Sequence, residues 1–217
     1  LTLSGVNTYT GSTTINSGTL ALSGNGSIAA SSGVAVNGNF DISGTNAGAS
    51  VTAISGAGNI LLGSKTLTLT NASGSFDGVA SGSGGLSIAG GAQTLTAAQA
   101  YTGATGIGAG ATLALTGAGS IASSSLVTAD GSFDISGTTA SGSSIASLAG
   151  AGSVVLGAKD LTLTQASSQF AGVISGSGGV TVAGGTQGFS GVNTYTGQTA
   201  IDAGATLALA GAGSIAS

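Results

Sequence analysis

The chain contains no cysteine, histidine, proline, methionine or tryptophan in its 217 residues. Its charged side chains are two lysines, Lys65 and Lys159, and six aspartates: Asp41, Asp77, Asp130, Asp134, Asp160 and Asp202. Without His or Cys, imidazole acid–base catalysis, thiol nucleophiles, Cys/His zinc sites and disulfides are excluded. The lack of cysteine alone leaves the redox compartment open. Two cations and a net charge of −4 give no basic surface for nucleic acid or for an anionic bilayer. No run of about 20 apolar residues escapes polar interruption, so no segment suits a membrane-crossing helix. Nor does a positive stretch followed by an apolar run, as in a signal peptide, occur here. The lack of Met leads us to expect a mature or excised piece of a longer protein, cut within a repeat at both ends.

What is abundant is glycine, 43 residues, against 41% apolar residues. That apolar share is enough for a core and is unlike a disordered chain. Internal repeats organise the rest. SGVNTYTG occurs at 4–11 and again at 190–197, with a variant, TAAQAYTG, at 96–103. NFDISGT (39–45) matches SFDISGT (132–138), and GAGNILLGSKTLTLT (56–70) matches GAGSVVLGAKDLTLT (150–164). GSFDGVASGSGGLSIAGG (74–91) matches SQFAGVISGSGGVTVAGG (168–185). These matches define units of roughly 93 residues at about 9–100 and 101–194, with a partial third at 195–217.

A unit of this length has a rival reading as beads of immunoglobulin-like sandwiches. Shorter echoes inside each unit argue for a solenoid: GNGSI (24–28), GAGNI (56–60) and GSGGL (82–86) repeat one turn-to-strand signal three times. TLALS (19–23), TLTLT (66–70), LSIA (86–89), TLALT (112–116) and VTVA (180–183) alternate apolar and small residues with period two, the strand signature. No helical periodicity is sustained. The expected fold is all-β, a parallel β-helix of about ten coils at roughly 19–23 residues each, a single uncapped segment over 1–217.

The pattern SGVNTYTG followed by TxIxxGxLxL carries a family likeness. YTGSTTINSGTLALSG (9–24) and YTGQTAIDAGATLALAG (195–211) resemble the passenger-associated strand repeat of bacterial autotransporters, with a weaker copy at 101–117 that lacks the preceding Asn. The resemblance implies a right-handed parallel β-helix exported across a Gram-negative outer membrane by a C-terminal barrel absent from these residues. It also implies a role at the cell surface or outside the cell: adhesion, aggregation, biofilm, or a stalk. The expected partners are other copies, side by side or end to end, or a host or abiotic surface.

Candidate chemistry is sparse, and we assign no catalytic, cofactor-binding or metal-binding residue. Asp41 and Asp134 could form the carboxylate pair of a polysaccharide-cleaving β-helix enzyme. They occupy equivalent positions in separate units, however, and strand alternation turns them to solvent while Phe and Ile face inward. DGSFD (130–134) is a lone fragment of a calcium nonapeptide and supplies too few oxygen ligands. GIGAGA (106–111) reads as turn glycine, not as a phosphate loop. Thr66, Thr68 and Thr70, with Thr162 and Thr164, offer an ice-binding ladder as an alternative, but such a face needs the pattern on successive coils and here it recurs about once per unit. Tyr9, Tyr101 and Tyr195 are expected to pack at coil corners, and Phe40, Phe76, Phe133, Phe170 and Phe189 in the core. Lys65 and Lys159 are expected to keep a strand edge soluble. Asn25 and Asn71 head N-x-[ST] strings that carry no weight in a bacterial chain.

Overall fold

In a computed structural model, which describes residues 1–216, the alternating segments are strands and every pairing between them is parallel. Partners lie close to 20 residues apart: Thr19 opposite Asn39, Asn39 opposite Asn59, Asn59 opposite Val79. A parallel pair at so short a separation requires the chain to turn once around an axis between partners. About ten such turns stack into one β-solenoid. There is no helix among the described residues. Ser217, the last residue of the partial third unit, lies outside them.

Each turn lays down three faces. In the fourth coil these are Asn59–Gly63, Leu67–Leu69 and Ala72–Phe76. The first face stacks Thr2–Leu3, Thr19–Gly24, Asn39–Thr45, Asn59–Gly63, Val79–Gly82 and Ala100–Tyr101, and the second runs from Ala49–Val51 to Leu148–Ala149. The third runs from Ala72–Phe76 through Ser132–Thr138 to Val173–Gly176. Isolated parallel bridges, Gly56 to Phe76 and Gly150 to Phe170, join these sheets to the shorter ones above and below. At either end of the described residues, Thr2–Leu3 and Thr206–Leu209 pair on one side only.

Inward residues form columns along the axis. Leu20, Phe40, Ile60 and Ala80 stack on the first face, and Leu113, Phe133, Val154 and Ile174 on the third. All five phenylalanines are fully buried. The outward neighbours in the same strands are Asp41, Leu61 and Ser81. Glycine turns the corners, and one column shows why no other residue fits. A Cβ on Gly58 would lie 2.0 Å from the Gly38 oxygen, and one on Gly78 would lie 1.9 Å from the Gly58 oxygen. Coils touch backbone to backbone there.

The sequence unit and the coil do not divide evenly. Asn39–Thr45 lies on the first face, yet its equivalent Ser132–Thr138 lies on the third, in the sheet holding Ala72–Phe76. One unit therefore spans four turns and two faces more. Each repeat of the sequence emerges one face round from the last, and three repeats restore the starting face.

Candidate functional site

The thrice-written phrase marks one corner of the coil, and its residues interlock. In SGVNTYTG the buried Asn193 carboxamide links three successive coils. Its Oδ1 accepts the Ile174 N–H from the coil before at 2.9 Å. Its Nδ2 donates to the Ser214 oxygen of the coil after at 2.9 Å. The chain here makes only a single-residue bridge, Val192 to Ser214. The side chain thus substitutes for the missing backbone acceptor of Ile174, which would otherwise be a buried orphan. Gln99 fills the same place in TAAQAYTG. Its longer side chain accepts the Ala80 N–H at 2.8 Å and donates to the Gly78 and Ala97 oxygens at 3.0 and 2.9 Å. Asn7, in the first coil, donates to the Gly5 and Ser27 oxygens.

Two residues on, the tyrosine begins a chain of hydroxyls. Tyr101 OH lies 2.7 Å from Thr105 Oγ1, which lies 2.9 Å from Ser124 Oγ. Ser124 Oγ in turn reaches the Gly103 oxygen at 2.9 Å. All three side chains are buried. Tyr9, Thr13, Ser31 and the Gly11 oxygen repeat the chain at 2.6, 2.9 and 2.9 Å. Tyr195 and Thr199 repeat its first link at 2.7 Å. A terminal carbonyl can only accept, so protons point from Tyr through Thr and Ser to the backbone. Burial pushes the Tyr101 phenol well above its ordinary value and raises that of Tyr195 as well. Tyr101 and Tyr195 pack at corners as the sequence suggests, whereas Tyr9 in the first coil is 42% exposed.

The candidate catalytic groups do not converge. Asp41 and Asp134 face outward on the first and third faces respectively. Each is half-buried and bonds within its own strand: Oδ1 accepts the Ser43 N–H at 2.9 Å in one and the Ser136 N–H at 2.8 Å in the other. Asp130 accepts the Ala151 N–H, and Asp160 the Gly179 N–H. Asp77 accepts from Thr96 and Ser75 hydroxyls, which hold its carboxyl below the ordinary aspartate value. Among the described residues, no three carboxylates gather. Two clefts, of about 410 and 440 Å³, are lined by no charged side chain. One holds Asn25, Ser27, Ser50, Thr66 and Thr68, and the other opens at the first coil beside Tyr9.

One expectation changes. Lys65 and Lys159 do not guard a strand edge, because the strands that follow them are paired on both sides. Each ammonium instead donates to a carbonyl one coil earlier, Asn46 at 3.1 Å and Ala140 at 3.0 Å, clamping a corner. Thr68 does face outward, but its neighbours along the face are Ser50 and Ser87, followed by Gly106. The threonine run is not repeated on successive coils.

Compared with protein families, the passenger-associated-transport-repeat model matches residues 1–22 and 189–213. These two stretches are similar to that repeat. The matched stretches contain the two Asn-type corners, and the Gln99 corner between them falls outside the match. Repeat and β-solenoid together fit an autotransporter passenger repeat. No curated protein and no solved structure matches the chain. The buried amide and hydroxyl chain supply a physical reason for the repeat's wording: N-x-Y-x-x-x-T is the spacing that closes this corner.

Proposed function

We propose that the chain is a rigid, non-catalytic rod segment of a bacterial passenger protein at the cell surface or outside the cell. It serves adhesion, self-association and biofilm formation, or holds other domains away from the cell as a stalk. The observation that carries this reading is the stack of all-parallel sheets, with stretches that match the passenger-associated-transport repeat near both its ends. Every coil meets its backbone bonds through its neighbours, so the rod lengthens without a larger core. Four of the six aspartates, Asp41, Asp130, Asp134 and Asp160, are tied to backbone N–H groups, which supports a structural role for them over acid–base chemistry.

The test is to display the segment on a bacterial surface between an anchor and a small reporter epitope. Cells are compared with and without it for aggregation, for surface attachment, and for antibody access to the epitope. The reading expects a gain in at least one of the three. Equal behaviour in all three, with the segment folded and exported, would overturn it.

A further inference from the structure

Two large apolar side chains face solvent along the body of the rod: Leu61, 39% exposed, and Val173, 40% exposed. The other exposed large apolar residues belong to the first or last coils. The sequence repeat matches Leu61 to Val155 and Val79 to Val173. Leu61 stands opposite Ser81, two residues along the strand from Val79. Val155 stands opposite Ser175, two residues from Val173. Each repeat thus bears one diagonal apolar pair across two adjacent strands, within side-chain reach. The inward positions beside them, Ile60 and Val154, already fill the core. The outward pairs have no packing task inside the coil.

We propose that these pairs are where further copies of this chain lie alongside the rod, an inference that rests on the rod reading above. Size favours a second rod as the occupant. A face of about ten turns at ~4.8 Å and roughly 15 Å across offers about 700 Å². That approaches the ~800 Å² each partner gives to a stable complex, whereas two side chains alone fall far short. Charge does not oppose the contact strongly. Asp41 opposite Leu61 and Asp134 opposite Val155 are already bonded to backbone N–H groups, and Asp77, two residues before Val79, is held by the Ser75 and Thr96 hydroxyls. A second copy also presents the same apolar pair, so the contact is self-complementary.

The mismatch between repeat and coil sets the stoichiometry. One pair lies on the first face and the other on the third, about 22 Å further along the axis at ~4.8 Å per turn. A single neighbour cannot cover both. Association therefore grows sideways in more than one direction instead of closing as a dimer.

Small-angle scattering and sedimentation of the purified chain, up to about 1 mM to reach weak complexes, test this. The wild type is expected to exceed twice the single-chain mass, with its cross-section growing and its length constant. Leu61→Ser with Val79→Ser is expected to stop at two copies, and adding Val155→Ser and Val173→Ser to leave single chains. Serine already occupies the neighbouring outward positions 81, 153 and 175, and unchanged circular dichroism confirms each fold. Threonine at the same four positions provides a second, β-branched set.

A wild type that remains single overturns the proposal, as does growth in length alone or association that survives all four changes. Single chains that co-sediment with phosphatidylcholine vesicles would give the pairs to lipid and also overturn it. None of these outcomes touches the displayed-segment test, so failure here and failure of the rod reading are separable.

Discussion

Replacing Asn193 by alanine removes one side chain and strands a group in a different coil. The Ile174 N–H loses its acceptor at 2.9 Å, and the Gly191 and Ser214 oxygens lose donors at 3.3 and 2.9 Å. Asn193 and Ile174 are both buried, 1% and 0% exposed. A buried N–H left unpaired costs about 1–3 kcal/mol, and each net bond about 0.5–1.5 kcal/mol. The Ser214 oxygen still accepts the Asn193 backbone N–H at 3.2 Å, so one lost donor there is partly covered. We expect a loss of about 2–4 kcal/mol by this reckoning. Asn7→Ala is the internal control. That side chain sits in the first coil, half-buried, and makes only donor bonds to Gly5 and Ser27, so its loss should cost about 1 kcal/mol or less. Solenoids can unfold in parts, so the sharper assay is amide hydrogen exchange. Asn193→Ala should speed exchange at Ile174 far more than at Val154 one coil earlier. Equal protection at Ile174 in wild type and variant would refute the clip.

Three further outcomes follow from the same contacts. Gly78→Ala drives a Cβ to 1.9 Å from the Gly58 oxygen and should destabilise by more than about 2 kcal/mol through overpacking, whereas Gly5→Ala, with open space around it, should be nearly neutral in thermal melts. Phe133→Ala opens the third-face column between Leu113 and Val154 and should cost about 3–5 kcal/mol in denaturant unfolding. The raised phenol of Tyr101 means that the folded state holds this proton more tightly than the unfolded one. Its contribution is complete below pH about 10, the unfolded value, and is lost as pH rises above that. Tyr101→Phe should flatten part of the alkaline fall in melting temperature.

The fold was legible because one signal repeats locally. TLTLT, LSIA and TLALT alternate, and the buried members, Leu67, Leu69, Leu86, Ile88, Leu113 and Leu115, are those that alternation selects. The phenylalanines fell inside for the same reason. The echoes inside each unit separated the solenoid from sandwiches, although GNGSI, GAGNI and GSGGL lie 32 and 26 residues apart and so do not mark the coil, whose partners lie close to 20 apart. The corner chemistry was hidden. Reading Gln99 as a lapse from Asn missed that one more methylene reaches the coil below in another way. The Thr105–Ser124 pairing joins residues 19 apart, a distance that no short motif displays. The lysines misled because a charge before a strand usually marks an exposed edge, and only the coil-to-coil stacking shows a carbonyl within reach. The step of one face per repeat was likewise out of view, because it depends on the exact residue count of each turn.

The absence of native cysteine allows a direct test of the stacking itself. Thr68 and Ser87 lie opposite each other on neighbouring coils of the second face, at the ~4.8 Å spacing of parallel strands, which suits a disulfide. Thr68→Cys with Ser87→Cys should cross-link within one chain under mild oxidation. Thr68→Cys with Thr162→Cys, equivalent positions one full repeat apart, should not. A cross-link in the second pair and none in the first would contradict the solenoid.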